Sequence, residues 1–128
     1  MSVKDLATTF VVIGPDQSAT QVPVTPSIYE ELDRNFEHFR GRYLVAQYGF
    51  DSDWPTWEIH PKGDEIVVLL SGAAELVLEE SGKHRVVKLA RPGEFVLVPR
   101  GTWHTAKIST PTTMLFVTPG EGTENAVR

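Results

Sequence analysis

The chain has 128 residues, no cysteine and a net charge of -5 at pH 7. A single domain of this length buries roughly two thirds of its unfolded surface. The absence of cysteine excludes disulfides, thiolate metal sites and cysteine nucleophiles. The negative charge argues against nucleic acids and anionic membranes as partners, because both need a basic patch. The N-terminus has no apolar signal segment and no stretch is long enough to span a membrane, so we expect a cytoplasmic protein.

The first forty residues predict one strand and one helix. Residues 9–13 are a β-branched and aromatic run that ends at a Gly-Pro pair. Ser27 and Glu30 have the spacing of a capping box, which indicates the start of the only helix that we expect. Its apolar face extends to Phe36, and Gly41 fits its end.

The rest of the chain has the pattern of an all-β protein. Short runs suited to strands are separated by turn residues, at 42–50, 56–60, 65–70, 74–79, 84–89, 94–99, 103–109 and 113–118. Many short strands at this spacing predict a sandwich or a barrel. We therefore expect one domain with an N-terminal strand and helix segment at about 1–41, a barrel at about 42–119 and a C-terminal tail at 120–128. The tail is rich in glycine and acidic residues and specifies no chemistry.

Two imidazoles and two carboxylates stand on neighbouring predicted strands. Glu58 and His60 share one face of their strand, because side chains two residues apart point the same way. Glu65 follows shortly after, and His104 begins a later strand. These donors suffice for one divalent metal ion, and iron, manganese, nickel and zinc all suit such a nitrogen and oxygen set. Two carboxylates buried without a cation would have to be protonated or paired, which favours a bound metal.

The spacing of these residues is similar to that of the cupin superfamily. The first cupin motif has two histidines one residue apart, then a glutamate and, seven residues later, a glycine; its positions are held here by Glu58, His60, Glu65 and Gly72. Gly93, Pro99, Gly101 and His104 match the second motif from its glycine to its histidine, and Ile108 replaces the asparagine that follows in the family. The resemblance implies a cupin-type β-barrel (a double-stranded β-helix or jelly roll) with one short N-terminal helix. It also implies that Glu58, His60, Glu65 and His104 are the metal ligands.

The main departure from the family pattern is Glu58, which replaces the first histidine of the motif. Two roles stay open for this carboxylate. It is either a fourth metal ligand or, if it is not a ligand, a general base beside a three-ligand site. A barrel that has lost its metal is a further alternative. His38 and His84 lie outside both motifs, and we expect them to be structural or surface residues.

The predicted function follows from the metal site and the resemblance. We expect a metal-dependent enzyme of the dioxygenase, isomerase or lyase type that acts on a small organic acid or carbonyl compound. A non-catalytic barrel that binds a small ligand, or that is purely structural, is the alternative. Val67, Leu69, Ala106 and Ile108 are expected pocket walls, and Trp54 is expected near the barrel mouth. The run at 66–70 is apolar on both faces, which indicates a homodimer.

Overall fold

The computed structural model describes residues 2–128, which form eleven β-strands and one α-helix. The strands are β1 (Thr9–Ile13), β2 (Ala19–Pro23), β3 (Tyr43–Phe50), β4 (Trp57–Ile59), β5 (Glu65–Ser71), β6 (Ala74–Glu80), β7 (Lys83–Leu89), β8 (Phe95–Val98), β9 (His104–Ile108), β10 (Thr112–Thr118) and β11 (Glu124–Ala126). Helix α1 spans Ile28–Asn35, and a short 3-10 helix at Glu37–Phe39 follows it. Neither helix in the described part of the chain has the length and apolar character needed to cross a membrane.

Two antiparallel sheets enclose the core. One sheet has the strand order β2-β1-β3-β10-β5-β8, and the other has the order β11-β4-β9-β6-β7. Buried side chains of both sheets, among them Val67, Leu76 and Met114, form the main core cluster between them. A second cluster, which includes Phe10, Leu32 and Leu44, lies where α1 covers the end of the first sheet. The all-β barrel with one short helix is the fold that the sequence predicts.

Alternation along the strands places the predicted inner residues inside. In β8, Val96 and Val98 are buried while Phe95 and Leu97 are exposed. In β9, His104, Ala106 and Ile108 share one face and are buried, and Lys107 on the other face is exposed, although Thr105 on that face is also buried. Strand parity thus predicted which side chains share a face, and the tertiary structure shows which face is inside.

The helix begins as predicted but ends earlier. The Ser27 hydroxyl donates to the Glu31 carboxylate at 2.7 Å rather than capping a backbone N–H, so the predicted capping box with Glu30 is wrong. Helix α1 ends at Asn35, and Phe36 packs edge-on against Phe39 with ring centroids 6.4 Å apart. The intervening backbone takes positive φ angles, which is incompatible with a continuing helix.

The sequence did not predict strands β2 and β11, and β11 lies in the segment predicted as a C-terminal tail. Strand β11 pairs with β4, so residues 120–128 are not a free tail. Arg128 holds this end of the chain with two hydrogen bonds of 2.6 and 2.7 Å to the Glu79 carboxylate, and its guanidinium lies 4.8 Å from the centre of the Trp103 ring. Strand β11 has only three residues and is too polar to show an alternating pattern. Its extended conformation is stabilised by pairing with β4, a contact that the local sequence does not indicate.

Candidate metal centre

The site lies where the two sheets approach each other. Glu58 in β4 and His104 in β9 are directly opposite each other in the antiparallel register. His60 comes directly after β4, and Glu65 is the first residue of β5 in the other sheet. The His60 carbonyl accepts a hydrogen bond of 2.9 Å from the backbone N–H of Gly101, which ties together the two loops that carry the histidines. Four residues spread over 47 positions of sequence thereby converge.

Three of the predicted ligands form a compact group of donor atoms. Glu58, His60 and His104 each offer one ligand atom, and these atoms lie within 4.8 Å of one another. Glu65 lies outside this group of three but contacts both histidines. Its Oε1 is 3.0 Å from His104 Nε2, and its Oε2 is 3.4 Å from His60 Nε2. His60, Glu65 and His104 are all buried.

Neighbouring polar groups fix the orientation of each buried side chain. His104 Nδ1 lies 3.0 Å from the Thr102 carbonyl oxygen, which only accepts, so this nitrogen carries the ring proton. His60 Nδ1 lies 2.8 Å from the Thr123 hydroxyl, and the Thr118 hydroxyl donates to Glu65 Oε2 at 2.6 Å. Such outer contacts are typical of metal-binding histidines and carboxylates. They turn the Nε2 lone pair of His104 toward Glu65.

The atoms that face the centre have no hydrogen-bond partners among the described residues. His60 Nε2, His104 Nε2 and Glu65 Oε1 are buried and unpaired, because the short contacts between them lack hydrogen-bond geometry. A neutral imidazole lone pair facing a carboxylate oxygen is one acceptor against another, which is costly unless a proton or a cation lies between them. Two nitrogens and two carboxylates are donors that divalent transition metals accept. The residues present therefore fit a divalent metal ion.

Burial and mutual charge shift the proton affinities of these groups. Burial alone would raise the pKa of Glu65, but its contacts with His104 and His60 outweigh burial and lower that pKa to about 2. Burial likewise works against protonation of His104, yet Glu65 raises the pKa of this imidazole above its usual value. The pKa of Glu58 is raised, first by burial and then by the negative charge of Glu65. The pKa of Glu58 is therefore raised, whereas that of Glu65 is lowered.

An open pocket of about 930 Å³ leads to the site. Its walls include Glu58, His60 and Glu65 together with four aromatic side chains, Tyr48, Phe50, Trp54 and Phe116. Trp54 therefore lies where the sequence analysis expected it.

The other expected pocket walls are wrong. Val67, Leu69, Ala106 and Ile108 belong to the packed core and do not line the pocket. Sequence alternation put them on the inner face correctly but did not show that this part of the barrel is filled.

Some polar groups of the pocket escaped the sequence analysis. Tyr29 of α1 reaches across to Tyr48, and their hydroxyls are hydrogen bonded to each other. Thr123 contacts His60 from the segment that the sequence analysis treated as a tail. No signal in the sequence pointed to Thr123, because the contact joins residues 63 positions apart.

The remaining histidines and tryptophans lie away from the donor atoms. His84 is exposed and lies against Trp57 on the other face of its sheet, with ring centroids 5.0 Å apart. His38 is exposed at the pocket rim and contacts Asp33 at 3.0 Å. Both histidines have the structural or surface character predicted for them.

A two-sheet antiparallel barrel with buried histidines and glutamates between its sheets is the architecture of a small jelly-roll protein. The chain belongs to the cupin family: the family model described as "Cupin domain" matches residues 49–118, more than half of the chain. No curated protein matches the sequence.

Solved structures of low sequence identity share the fold. A cupin-2 domain protein from Shewanella frigidimarina is 17% identical, with a TM-score of 0.52 over 60% of this chain and 70% of that one. An oxalate oxidase is 23% identical, with a TM-score of 0.54 over 63% of this chain and 44% of its own. A hydroquinone 1,2-dioxygenase from Sphingomonas, solved with 4-hydroxybenzoate bound, is 20% identical, with a TM-score of 0.50 over 66% and 61%. The chain thus spans less than two thirds of either enzyme.

Proposed function

We propose that this cupin is a metal-dependent enzyme of the dioxygenase, isomerase or lyase type, acting on a small organic acid or carbonyl compound. The observation that carries the proposal is the set of unpaired, buried donor atoms of His60, Glu65 and His104, of which His60 and Glu65 line a ligand-sized pocket. Pockets of several hundred Å³ with a few convergent polar groups are typical of small-molecule sites. The enzymes among the structural neighbours support the proposal at the level of the fold.

The ligand set in this proposal is Glu58, His60, Glu65 and His104, holding one divalent ion of iron, manganese, nickel or zinc. Such an ion supplies Lewis acidity toward a substrate oxygen, and iron or manganese adds redox chemistry. His104 is held in the tautomer that leaves Nε2 free, because its Nδ1–H donates to the Thr102 carbonyl. The Thr118 hydroxyl donates a hydrogen bond to Glu65 Oε2 and thereby fixes the orientation of that carboxylate.

The alternative role of Glu58, if it is not a ligand, is that of a proton carrier at the pocket beside a three-ligand site of His60, Glu65 and His104. Its pKa is raised by burial and by Glu65, which brings it closer to neutral pH, where a general acid or base is most effective. Its carboxylate lines the pocket and is only half buried, so a substrate is within its reach.

Elemental analysis tests the metal site. Untagged wild-type protein is compared with a His60→Ala/His104→Ala variant and with a His38→Ala/His84→Ala variant, which removes the two exposed histidines instead. The proposal expects near one equivalent of one metal in the wild type and in the exposed-histidine variant, and none in the buried-histidine variant. Wild-type protein that contains no metal and takes up none would overturn it, as would metal retained by the buried-histidine variant.

The variant Glu58→Gln separates the two roles of that residue. Loss of metal from the variant assigns Glu58 as a ligand, whereas retained metal with loss of turnover assigns it as the proton carrier. Full metal content with full turnover would contradict both roles.

We also propose that the protein is a homodimer. Strand β8 is one of the two edge strands of its sheet, and its Phe95 and Leu97 side chains are each 58% exposed. Leu70 of the adjacent β5 is also exposed and extends this apolar surface. Exposed edge strands with contiguous apolar side chains invite pairing with another chain, and a second copy covers the surface without any other partner.

A further inference from the structure

The charges around the pocket restrict what it can bind. Among residues 2–128, no lysine or arginine lines it, while five carboxylates do: Asp33, Asp51, Asp53, Glu58 and Glu65. One of these charges is partly offset, because Asp53 lies 3.8 Å from Lys107. Asp33 lies 3.0 Å from His38, which offsets its charge only when the imidazole is protonated. No fixed positive side chain is left to receive a ligand carboxylate, the partner that proteins usually provide for one.

The proposed metal does not change this balance. Two glutamate ligands carry a charge of -2, which a divalent ion cancels, so the centre as a whole is neutral. An anionic substrate would then bind against aromatic walls and beside carboxylates, with no fixed positive side chain to compensate its charge. Burying an unpaired charge in this way is costly.

The walls of the pocket favour a flat, apolar ligand instead. Trp54 packs against both Phe50, with ring centroids 5.6 Å apart, and Phe116, with centroids 5.9 Å apart, and these two rings also contact each other at 6.0 Å. Trp54 meets the His104 ring edge-on at 6.2 Å. The rings of Phe50, Trp54 and Phe116 form an aromatic wall of the pocket, and this wall extends to His104, a proposed metal ligand. Aromatic surfaces of this kind bind planar rings by stacking and edge contacts. A pocket of about 930 Å³ is also far larger than a two-carbon acid needs.

One polar group in this wall lacks a partner. The indole Nε1 of Trp54 is buried and makes no hydrogen bond to any described residue. Buried indole N–H groups normally find an acceptor, and leaving one unmade is unfavourable. Trp54 lines the pocket, so an oxygen atom of a bound ligand is an acceptor that the pocket can supply.

We infer that the substrate class of this site is an uncharged aromatic compound bearing hydroxyl or carbonyl oxygens, one of which accepts a hydrogen bond from Trp54 Nε1. The inference rests on the proposed function and specifies its substrate, because it replaces the small organic acid by an uncharged aromatic compound whose oxygens are hydroxyl or carbonyl groups. The ring lies against the aromatic wall, and the oxygens face the cluster of His60, Glu58 and Glu65.

Three probes test the charge preference. Catechol and 3,4-dihydroxybenzoate have the same ring and hydroxyls and differ by one carboxylate, and glycolate is a small carboxylate without a ring. Titration calorimetry is done with protein supplied with zinc, which avoids oxidation of the diols, and with protein treated with chelator. Catechol is expected to bind roughly tenfold or more tightly than either acid in both preparations. Equal or tighter binding of 3,4-dihydroxybenzoate or glycolate, or no binding of catechol, overturns the inference.

A pair of tryptophan variants tests the donor. Trp54→Phe keeps an aromatic ring in the wall but removes the N–H, and Trp57→Phe makes the same change on the opposite face of the sheet. Trp54→Phe is expected to weaken catechol binding by about five- to tenfold, with Trp57→Phe unchanged from wild type. Equal affinity of the two variants would overturn the role of Trp54, provided that both melt within a few degrees of wild type. Should Trp54→Phe fail to fold, the three-probe comparison still decides the substrate class.

Metal content measured on the same samples distinguishes this inference from the proposed function. Protein that binds zinc at His60 and His104 but prefers the acids contradicts only the substrate class. Protein that takes up no metal yet prefers catechol contradicts the proposed function and leaves the pocket preference intact.

Discussion

Glu65 Oε1 and His104 Nε2 lie 3.0 Å apart, and neither atom has a hydrogen-bond partner of good geometry. The strands that carry them belong to different sheets, so this contact joins the two halves of the barrel at the site. In protein without metal, a proton on the imidazole relieves the conflict between the two acceptors. With a metal ion bound, the ion takes the place of that proton.

The two glutamates are predicted to differ in their effect on the stability of metal-free protein. Glu65→Gln leaves a buried, charged network without its central carboxylate, and we expect a loss of about 3 kcal/mol in the free energy of unfolding. Glu58→Gln removes a carboxyl that burial already disfavours as an anion, so stability is expected to stay constant or to rise. Urea unfolding in the presence of a chelator measures both. Equal losses for the two variants would contradict this assignment.

The stability of metal-free protein is predicted to depend on pH through the same pair. The pKa of Glu65 is lowered, so its contribution is fully present above the unfolded value near 4.5 and is lost as the pH falls toward about 2. The pKa of His104 is raised, so its contribution is fully present below the unfolded value of 6.5 and is lost as the pH rises through the folded value. Metal-free protein should therefore melt highest between these limits.

Bound metal is predicted to reverse the pH dependence of the melting temperature above neutral pH. Metal ligation requires a neutral imidazole, so metal affinity is expected to increase as the pH rises through the raised pKa of His104. Thermal melts across pH, with and without added zinc, give both curves, and Glu65→Gln serves as the control without the pair. A melting temperature of the chelated wild type that keeps rising above neutral pH would be inconsistent with this account.

Thr123 is predicted to be a positioning residue for His60, because its hydroxyl lies 2.8 Å from the ring nitrogen that faces away from the centre. Thr123→Val keeps the shape of the side chain but removes this contact, and we expect metal affinity to fall about 10- to 100-fold. Thr123→Ser should restore most of it. Competition with a metal-binding dye measures the affinities, and no difference between the valine and serine variants would rule out this role.

Arg128 offers a milder perturbation of the same segment. Its ion pair with Glu79 and its contact with Trp103 hold β11 against the sheet, but the side chain is about one-third exposed. Arg128→Ala is therefore expected to reduce metal affinity less than Thr123→Val does, since a partly exposed ion pair contributes only about 1 kcal/mol or less. A larger effect than that of Thr123→Val would show that anchoring of the strand dominates.

The dimer is predicted to depend on the apolar edge at β8. Wild-type protein should have twice the 14.2 kDa mass of the chain in light scattering after gel filtration. Phe95→Asp and Leu97→Asp place a charge in the interface and should give monomers, because a buried unpaired charge is costly. Val86→Asp is the control, since Val86 is also exposed, at 51%, but lies on the edge of the other sheet. Monomeric wild-type protein would disprove the dimer.

The sequence by itself determined the barrel and which side chains share a face of each strand. Strands alternate with a period of two, so the positions of Glu58 and His60 on one face and of His104 on another inner face follow from local pattern. The spacing of Gly93, Pro99, Gly101 and His104 identified the family because it fixes a turn and the strand after it. Such features depend on residues near one another in the chain.

Only the tertiary structure decided which distant residues meet these side chains. Thr123 reaches His60 from 63 residues away, and Tyr29 of the helix reaches Tyr48 of β3. The shape of the pocket depends on how α1 and the loop after β3 cover the barrel end. The side chains predicted as pocket walls instead belong to the packed core of the barrel. Packing between distant segments is a non-local property, so neither periodicity nor motif spacing carries it.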